Sequence, residues 1–281
     1  MIIQEAIKEA SLKLKDQNIK SFILDSEILM SKVLNKKREY IILNIQEKLK
    51  QRDYSYYTQL VNERANGKPI AYLIEKKFFW KDEFFVNKDV LIPRPDTEVI
   101  VEEILKITKN KYYLNLLDIG VGSGCILLSV LKEKKGFIGT GIDLSSKCLN
   151  LCKKNIHNLK VRNRIRLFKS DVDNFNYGKY DLIISNPPYI KKYDLKYLEK
   201  NVVDYEPILA LDGGLDGTSE IRKVINKSSE LIKKNGKLIL EISFDQKLKV
   251  ISLLKKKGFY INKVLKDFAK NDRCIVSTKI D

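Results

Sequence analysis

The sequence contains little histidine or cysteine, and this shortage argues against several kinds of site. Its 281 residues include one histidine, His157, and four cysteines with no CxxC pair. Cys148 and Cys152 share a predicted helix at a spacing that could hold a metal, but no second pair of ligands accompanies them. We therefore expect reduced, mostly buried thiols and no metal site.

Long apolar runs are also missing. No stretch of about 18 apolar residues exists, which excludes a membrane-spanning helix. The first residues, MIIQEAIKEA, carry early acids and lack the cleavage site of a signal peptide. The hydrophobic share of 44% is ordinary for a globular protein. We expect a soluble, cytoplasmic and monomeric protein with no membrane partner.

Basic residues exceed acidic ones, and the formal net charge is +17. Such a charge is typical of proteins that bind RNA, DNA or the ribosome. The basic residues are spread along the chain as lysines, however, and form no arginine-rich or aromatic-interleaved cluster. We favour a lysine-rich composition as the explanation, so a nucleic-acid partner is not required.

The order of apolar patterns predicts the organisation of the chain. Residues 1 to 66 show helical spacing, and aromatic and β-branched residues from Ala71 to Leu91 suggest a hairpin or short strands. From Asp96 onward, apolar strands alternate with amphipathic helices, which is typical of a doubly wound parallel sheet. The last two strands are joined by a short turn, so one should be antiparallel near the sheet edge. We predict a helical domain (1–70), a β-hairpin linker (71–95) and an α/β domain (96–281).

A glycine-rich loop follows the first strand of the α/β domain. The segment DIGVGSG runs from Asp118 to Gly124, and Asp143 ends the next strand about twenty residues later. A glycine loop alone is often only a turn. Combined with an acid that can accept hydrogen bonds from ribose hydroxyls, it indicates a nucleoside-containing ligand.

The loop spacing narrows the choice of ligand. GxGxG differs from the GxGxxG of dinucleotide folds, and no GK[ST] is present for a triphosphate. Asp118 could face a charged amino group, and these features favour S-adenosylmethionine. After the following strand, Asp171 stands where an acceptor for the adenine amine is expected, with Val172 against the ring. Asp171 could equally cap a turn.

The segment SNPPYI, residues 185–190, ends a predicted buried strand with two prolines. Ligands of doubly wound sheets bind beyond the carboxyl ends of the strands, so a site is favoured over a simple turn. The Asn186 side-chain oxygen and the Pro187 carbonyl can each accept one N–H of a planar NH₂ group, and Tyr189 can pack over that group. An amide or aryl amine is a weak nucleophile, and positioning can supply about 7–11 kcal/mol of a barrier. No strong general base is evident in this motif.

Several further motifs carry a family resemblance over nearly the whole chain. They are, in order, VLIPRPDTE (90–98), ISNPPYI (184–190), EPILALDGGLDG (206–217), LILEIS (238–243) and KDFAKNDRCIV (266–276). Together they closely resemble the peptide chain release factor glutamine methyltransferases, the PrmC/HemK family. The resemblance implies a Rossmann-like class I S-adenosylmethionine-dependent methyltransferase with a small N-terminal helical domain. Our hypothesis is that this helical domain docks the substrate.

The resemblance also implies the reaction and the residues involved. The enzyme would methylate the side-chain amide nitrogen of the glutamine in the GGQ motif of class 1 release factors. Residues 186–189 (Asn186, Pro187, Pro188 and Tyr189) would hold the glutamine, with Asn186, Pro187 and Tyr189 as the catalytic residues. The cofactor contacts would be Gly120, Val121, Gly122, Ser123, Gly124, Asp143, Val172 and Asn186.

The sequence departs from the family pattern in places. Val121 stands where threonine is usual, Ser243 replaces a glycine, and Val172 offers the adenine a smaller surface than a larger family side chain would. The RPDTE segment is expected at the cofactor entrance, with Arg94 and Glu98 as structural ties.

Two other functions are consistent with part of the pattern. An adenine-amine DNA or RNA methyltransferase would also use NPPY and a positive charge, but no separate target-recognition segment is visible for base flipping. A non-catalytic cofactor-binding module is disfavoured because both the cofactor loop and the NPPY motif are present.

Overall fold

The computed structural model describes residues 1–280, which divide into two compact units. One unit comprises residues 1–76 and 199–205. The other comprises residues 77–198 and the chain from residue 206 onward. Each unit has a hydrophobic core of its own. In this described range, no helix has the length and apolar character needed to cross a membrane.

The first unit is helical. In α1, the residues Ile3, Ala6, Ala10 and Leu14 recur every three or four positions, and all are buried. This apolar stripe is why the segment folds as a helix against its neighbours. The helices are α1 (Ile3–Asp16), α2 (Phe22–Leu34), α3 (Arg38–Leu43), α4 (Gln51–Ala65) and α5 (Ile70–Ile74).

The predicted start of the extended segment at Ala71 is wrong. Residues 70–74 form α5, which follows Pro69 and ends at Glu75 in a left-handed conformation (φ +61°). Proline at the N-cap fixes the backbone entering the helix, and this outweighs the preference of Tyr72 for strands. The hairpin is shorter than predicted and consists of β1 (Lys76–Phe79) and β2 (Asp82–Phe85). The domain division at residues 70 and 95 stays a prediction.

The second unit alternates strands and helices as predicted. Its elements are α6 (Glu98–Ile107), β3 (Asn115–Ile119), α7 (Cys125–Glu133), β4 (Ile138–Asp143), α8 (Ser146–Asn158), β5 (Ile165–Lys169), β6 (Tyr180–Ser185), α10 (Ser219–Leu231), β7 (Ile232–Glu241), α11 (Lys247–Lys256), β8 (Phe259–Lys266) and β9 (Asp272–Lys279). A further short helix, α9 (Lys200–Val203), lies in the segment 199–205, which belongs to the helical unit.

The sheet is doubly wound. The strand order is β5-β4-β3-β6-β7-β9-β8, with parallel pairing from β5 to β7 and β9 antiparallel to both of its neighbours. The predicted antiparallel strand near the edge is therefore confirmed. One apolar core joins the sheet to α6, α7 and α8, and a second joins it to α10 and α11.

The strand β7 follows α10 without a loop. The helix ends at Leu231, and β7 begins at Ile232. Asn235 adopts a left-handed conformation (φ +62°), and the β6–β7 register is irregular between Tyr180 and Leu182. The extra residues of β7 at this irregularity, Lys234 among them, have no paired residue on β6.

The strand order places two loops side by side. The chain moves outward from β3 through β4 to β5, then returns to place β6 on the other side of β3. The point where the order reverses is the usual ligand crevice of doubly wound sheets. The glycine loop follows β3 and SNPPYI follows β6, so both motifs lie at this point.

Candidate active site

A cavity of about 580 Å³ lies at the carboxyl ends of β3, β4 and β6. This volume is within the usual range for a small-molecule site. The cavity is lined by residues of the glycine loop, the two strand ends beside it and the first three residues of NPPY. The lining residues from these segments include Asp118, Gly120, Val121, Gly122, Ser123, Asp143, Asp171, Val172, Asn186, Pro187 and Pro188.

The glycine loop has a conformation that other residues would strain. Gly122 and Gly124 have φ values of +52° and +83°. A Cβ added to Gly124 would lie 2.8 Å from the Sγ atom of Cys152, so glycine is also needed for packing on α8. Gly124 itself does not line the cavity; it serves as the N-cap of α7.

Asp143 ties the loop to the end of β4. Its Oδ2 atom accepts a hydrogen bond from the Gly122 N–H at 3.0 Å, and its Oδ1 atom accepts one from the Ser145 N–H at 2.9 Å. These bonds fix the carboxylate at the cavity wall. Each oxygen keeps a second lone pair that can accept a ligand hydroxyl.

Asp118 is a buried carboxyl group at the cavity floor. Burial, and secondly the negative charge of Asp143, raise the pKa of Asp118 to about 7. A cationic ligand group placed beside this carboxyl group would offset both effects. The site is therefore suited to a positively charged group and is unfavourable for a phosphate.

Asp171 caps a turn and also lies in the cavity lining. Its Oδ1 atom accepts a hydrogen bond from the Asp173 N–H at 2.9 Å and so caps a turn. The residue also lines the cavity, as does Val172, whose side chain packs on the second core. A contact of either residue with adenine stays a prediction.

The NPPY elbow is held at its start by the sheet. The hydroxyl group of Ser185 donates to the Ile119 carbonyl at 2.7 Å, which joins the ends of β6 and β3. Asn186 donates from Nδ2 to Oγ1 of Thr97 at 3.4 Å. The Asn186 Oδ1 atom therefore remains as an acceptor. This is what the predicted amide clamp requires, in which Asn186 Oδ1 and the Pro187 carbonyl each accept one N–H of the substrate.

Tyr189 is not brought to the cavity with the three residues before it. Its half-buried ring packs on the second core. Its hydroxyl group donates to Oε1 of Glu241 at 3.3 Å and accepts from Nη1 of Arg273 at 3.5 Å. Burial, and then the charge of Glu241, raise the pKa of the Tyr189 phenol. Packing of Tyr189 over an acceptor group stays a prediction that this arrangement does not favour.

Glu241 is a buried carboxyl group close to Thr97 and Tyr189. The sequence predicted it only as part of the family motif LILEIS and gave it no role of its own. Burial raises the pKa of Glu241 to about 7, although Thr97 and Arg273 lower it. Its Oε2 atom is buried and has no hydrogen-bond partner of good geometry among the described residues. The same carboxyl group thus neighbours Thr97, which holds Asn186, and Tyr189.

The RPDTE segment makes the contacts of a structural tie. Arg94 pairs with the buried Glu206 through Nη2 and Oε1 at 2.5 Å, and Glu206 also accepts from the Ile92 N–H at 3.2 Å. Glu98 accepts a hydrogen bond from the Trp80 N–H at 2.9 Å. Arg94 and Thr97 also line the cavity.

A second wall of the cavity was not predicted. Residues 207–210 (Pro207, Ile208, Leu209 and Ala210) line it, and the side chains of Ile208 and Leu209 are exposed. The apolar character of these residues was the available signal in the sequence. Glu206, which directly precedes them, is paired with Arg94. Among residues 1–280, no group of three or more His, Cys, Asp or Glu residues is arranged to hold a metal.

Comparisons with known proteins match both parts of the chain. Residues 5–74 match the family model described as the PrmC N-terminal domain, and residues 96–215 match the methyltransferase small domain. A structure titled as a ribosomal protein L11 methylase from Lactobacillus delbrueckii subsp. bulgaricus superposes with a TM-score of 0.52 at 16% identity, covering 73% of this chain and 90% of that one. The fold and the methyltransferase match define a class I methyltransferase.

Curated relatives give the particular family. Release factor glutamine methyltransferase of Clostridium acetobutylicum is 35% identical, with 99% of each chain covered. Release factor glutamine methyltransferase of Buchnera aphidicola subsp. Baizongia pistaciae is 37% identical, with 99% of this chain and 100% of the relative covered. The chain belongs to the release factor glutamine methyltransferase family.

Proposed function

We propose that the protein transfers a methyl group from S-adenosylmethionine to the side-chain amide nitrogen of a glutamine in a peptide chain release factor. We further assign the target to the GGQ motif of class 1 release factors. One observation carries the proposal: Asn186, Pro187 and Pro188 line the same cavity as the glycine loop and Asp143. The relatives' names support a release factor as the substrate.

The residues present fit S-adenosylmethionine. Asp143 would accept the ribose hydroxyls, and Asp171 with Val172 would meet the adenine. Asp118 would face the cationic amino group, because a positive charge beside it would offset the burial and the negative charge of Asp143, which together raise its pKa. Gly120 and Gly122, which line the cavity and lack a Cβ atom, would let the backbone approach the ligand closely. The bound cofactor supplies an electrophilic methyl group on a sulfonium sulfur.

The chain's own contribution is to position the acceptor amide. The lone pair of an amide nitrogen is delocalised into the carbonyl, which makes the nitrogen a weak nucleophile. Oδ1 of Asn186 and the carbonyl of Pro187 would each accept one of its two N–H groups. The ring of Pro187 fixes its φ and the following Pro188 restricts its ψ, so the direction of the Pro187 carbonyl is constrained. Transfer would break the bond between the methyl carbon and the sulfonium sulfur as the N–C bond forms, leaving a neutral thioether, and the proton lost by the nitrogen would pass to solvent.

The same geometry selects an amide over a carboxylate. A glutamate side chain has no N–H to give and would present oxygen to two acceptors. Such an unpaired buried contact costs about 1–3 kcal/mol or more. A release factor with glutamate at the target position should therefore bind poorly to the two acceptors, Oδ1 of Asn186 and the carbonyl of Pro187.

We also propose that the helical domain, residues 1–70, docks the release factor. Leu43 of α3 supports this, since its apolar side chain is 82% exposed and lies beside Ile42, which is 47% exposed. Leu43→Asp should raise KM for the release factor and leave cofactor affinity unchanged. Leu12→Asp, on α1, serves as a matched exposed leucine. Equal changes in both affinities would argue against a docking role.

The proposed function is tested by supplying labelled S-adenosylmethionine with three acceptors: an unmethylated release factor, the same factor with its target glutamine replaced by glutamate, and AT-rich DNA. We expect label in the first alone. Label in the DNA and none in the release factor would indicate an adenine-amine methyltransferase instead. Cytoplasmic location and a monomeric state stay predictions.

A further inference from the structure

Two buried side-chain amides outside the cavity lining each bond three backbone groups, of which one belongs to the glycine loop or to the NPPY motif. The first is Asn155 on α8, whose exposed fraction is 0%. Its Oδ1 atom accepts the Phe85 N–H at 2.7 Å, and its Nδ2 atom donates to the carbonyls of Phe85 at 3.1 Å and Ser123 at 2.8 Å. Ser123 belongs to the glycine loop, so Asn155 ties that loop to β2.

The second amide is Gln246 at the start of α11, whose exposed fraction is 3%. Its Nε2 atom donates to the carbonyls of Tyr189 and Gly217, both at 2.9 Å. Its Oε1 atom accepts the Ser243 N–H at 3.0 Å. Gln246 therefore joins the last residue of NPPY to the DGGLDG segment and to the end of β7.

Glycine at position 217 is required for this contact. It has φ +71°, and a Cβ there would lie 2.6 Å from the Tyr189 carbonyl oxygen and 2.7 Å from Nε2 of Gln246. The backbone of the DGGLDG segment thus reaches the elbow closely enough for one amide to bond both. Beyond it, the Ile190 N–H donates to the Leu211 carbonyl at 3.0 Å.

We propose that Asn155 and Gln246 are positioning residues for separate halves of the site. Asn155 sets the glycine loop for the cofactor, and Gln246 sets the NPPY elbow for the acceptor amide; the naming of these ligands rests on the proposed function. The hydrogen bonds given above for the two amides share no partner. Substitution of Asn155 should therefore affect the cofactor and not the acceptor amide, and substitution of Gln246 should do the reverse.

The test uses variants that keep shape and remove the two N–H donors: Asn155→Asp and Gln246→Glu. Each places oxygen against two backbone carbonyls, which must then move apart or remain unpaired. Asn155→Leu and Gln246→Met are the second pair, which keeps bulk without charge and replaces the first pair if those variants do not fold. The measurements are the Kd of S-adenosylmethionine by calorimetry and kcat for the release factor at saturating cofactor.

Gln246→Glu should lower kcat by about 10- to 100-fold, because misplacement by about 1 Å has effects of this size. Its cofactor Kd should stay within about threefold of wild type. Asn155→Asp should raise the cofactor Kd by about tenfold or more, with kcat at saturation within about threefold. Proportional changes of both quantities in both variants, or an unchanged kcat for Gln246→Glu, would overturn the proposal.

Hydrogen–deuterium exchange separates this proposal from the proposed function, since it needs neither ligand. Gln246→Glu should speed exchange of the backbone amides of residues 189–192 and leave residues 120–124 protected as in wild type. Asn155→Asp should show the reverse. If the wild type transfers no methyl group, the proposed function fails while the exchange pattern still decides this inference. Equal loss of protection in both segments would contradict it.

Discussion

The Asn186 side chain donates a hydrogen bond from Nδ2 to the Oγ1 atom of Thr97, 3.4 Å away. Thr97 belongs to the RPDTE segment, 89 positions before Asn186 in the chain. An amide that gives its N–H to the protein keeps its oxygen as the group that can accept. The orientation of one side chain thus determines whether the cavity offers an acceptor or a donor to an incoming NH₂ group.

Removing the Asn186 amide should abolish transfer and spare the cofactor. Asn186→Ala loses one of two acceptors for the substrate N–H groups, so kcat should fall by about 100-fold or more. Because Asp118 and Asp143 remain, cofactor binding should still be detected by calorimetry. Activity near that of wild type would show that the amide clamp is wrong.

Changing Thr97 tests the orientation rather than the presence of the amide. Thr97→Val removes the hydroxyl acceptor, leaves Asn186 free to turn its NH₂ toward the substrate, and should lower kcat by roughly tenfold. Thr97→Ser keeps the hydroxyl group and is the matched control, with kcat within about threefold of wild type. Equal kcat values for the two variants would exclude this role of Thr97.

Asp143 should govern cofactor affinity. Asp143→Ala removes the acceptor of the Gly122 and Ser145 N–H groups together with the proposed ribose acceptor. Hydrogen bonds to charged groups contribute about 1.5–3 kcal/mol each, so the Kd of S-adenosylmethionine should rise by roughly 30-fold or more. Calorimetry measures this directly. A Kd within twofold of wild type would place the ribose elsewhere.

Glu241 should make the folded protein less stable as pH rises. Its pKa is raised from an ordinary value of 4.5 to about 7, so between these values the folded state keeps a proton that the unfolded state has lost. The free energy of unfolding therefore falls as pH rises from about 4.5 to about 7 and levels off above. Asp118 adds an effect of the same sign.

Urea unfolding at about pH 5 and about pH 8 checks this sign. Glu241→Gln removes the titration and should reduce the difference between the two pH values by roughly 3 kcal/mol. Glu102→Gln, on an exposed position of α6, is the control and should keep the wild-type difference. The same pH difference in Glu241→Gln as in wild type would contradict the assignment.

The Arg94–Glu206 pair should contribute to stability more than exposed pairs do. Glu206 is buried and Arg94 is partly exposed, so Arg94→Ala leaves a carboxylate without its charged partner. We expect a loss of about 1–3 kcal/mol in the free energy of unfolding, measured in urea. Arg222→Ala breaks the exposed pair with Asp216 and should cost less than about 1 kcal/mol. Equal costs would show that burial of Glu206 is unimportant.

The sequence was sufficient to predict the sheet and the meeting of its two loops. Alternating apolar strands and helices determine a doubly wound order, and that order places the ends of β3 and β6 together. The helix at residues 70–74 was mistaken for extended chain because aromatic residues occur in both and only Pro69 marked the start.

Side-chain direction was harder to predict than loop position. Tyr189 follows residues that line the cavity, yet its hydroxyl group bonds partners 52 and 84 positions away, Glu241 and Arg273. A buried tyrosine usually adopts an orientation in which its hydroxyl group is hydrogen-bonded. Here the partners lie on β7 and β9, so the orientation depends on residues distant in the sequence. For the same reason the roles proposed for Asn155 and Gln246 had no local signal.

The most direct test of the central claim is to locate the methyl group. A release factor treated with this protein and S-adenosylmethionine is digested, and the peptide containing its GGQ motif is fragmented in a mass spectrometer. The account predicts one added methyl group on the side-chain nitrogen of that glutamine, absent when the Asn186→Ala variant is used. An unmodified glutamine, with the methyl group on another residue or on nucleic acid, would contradict it.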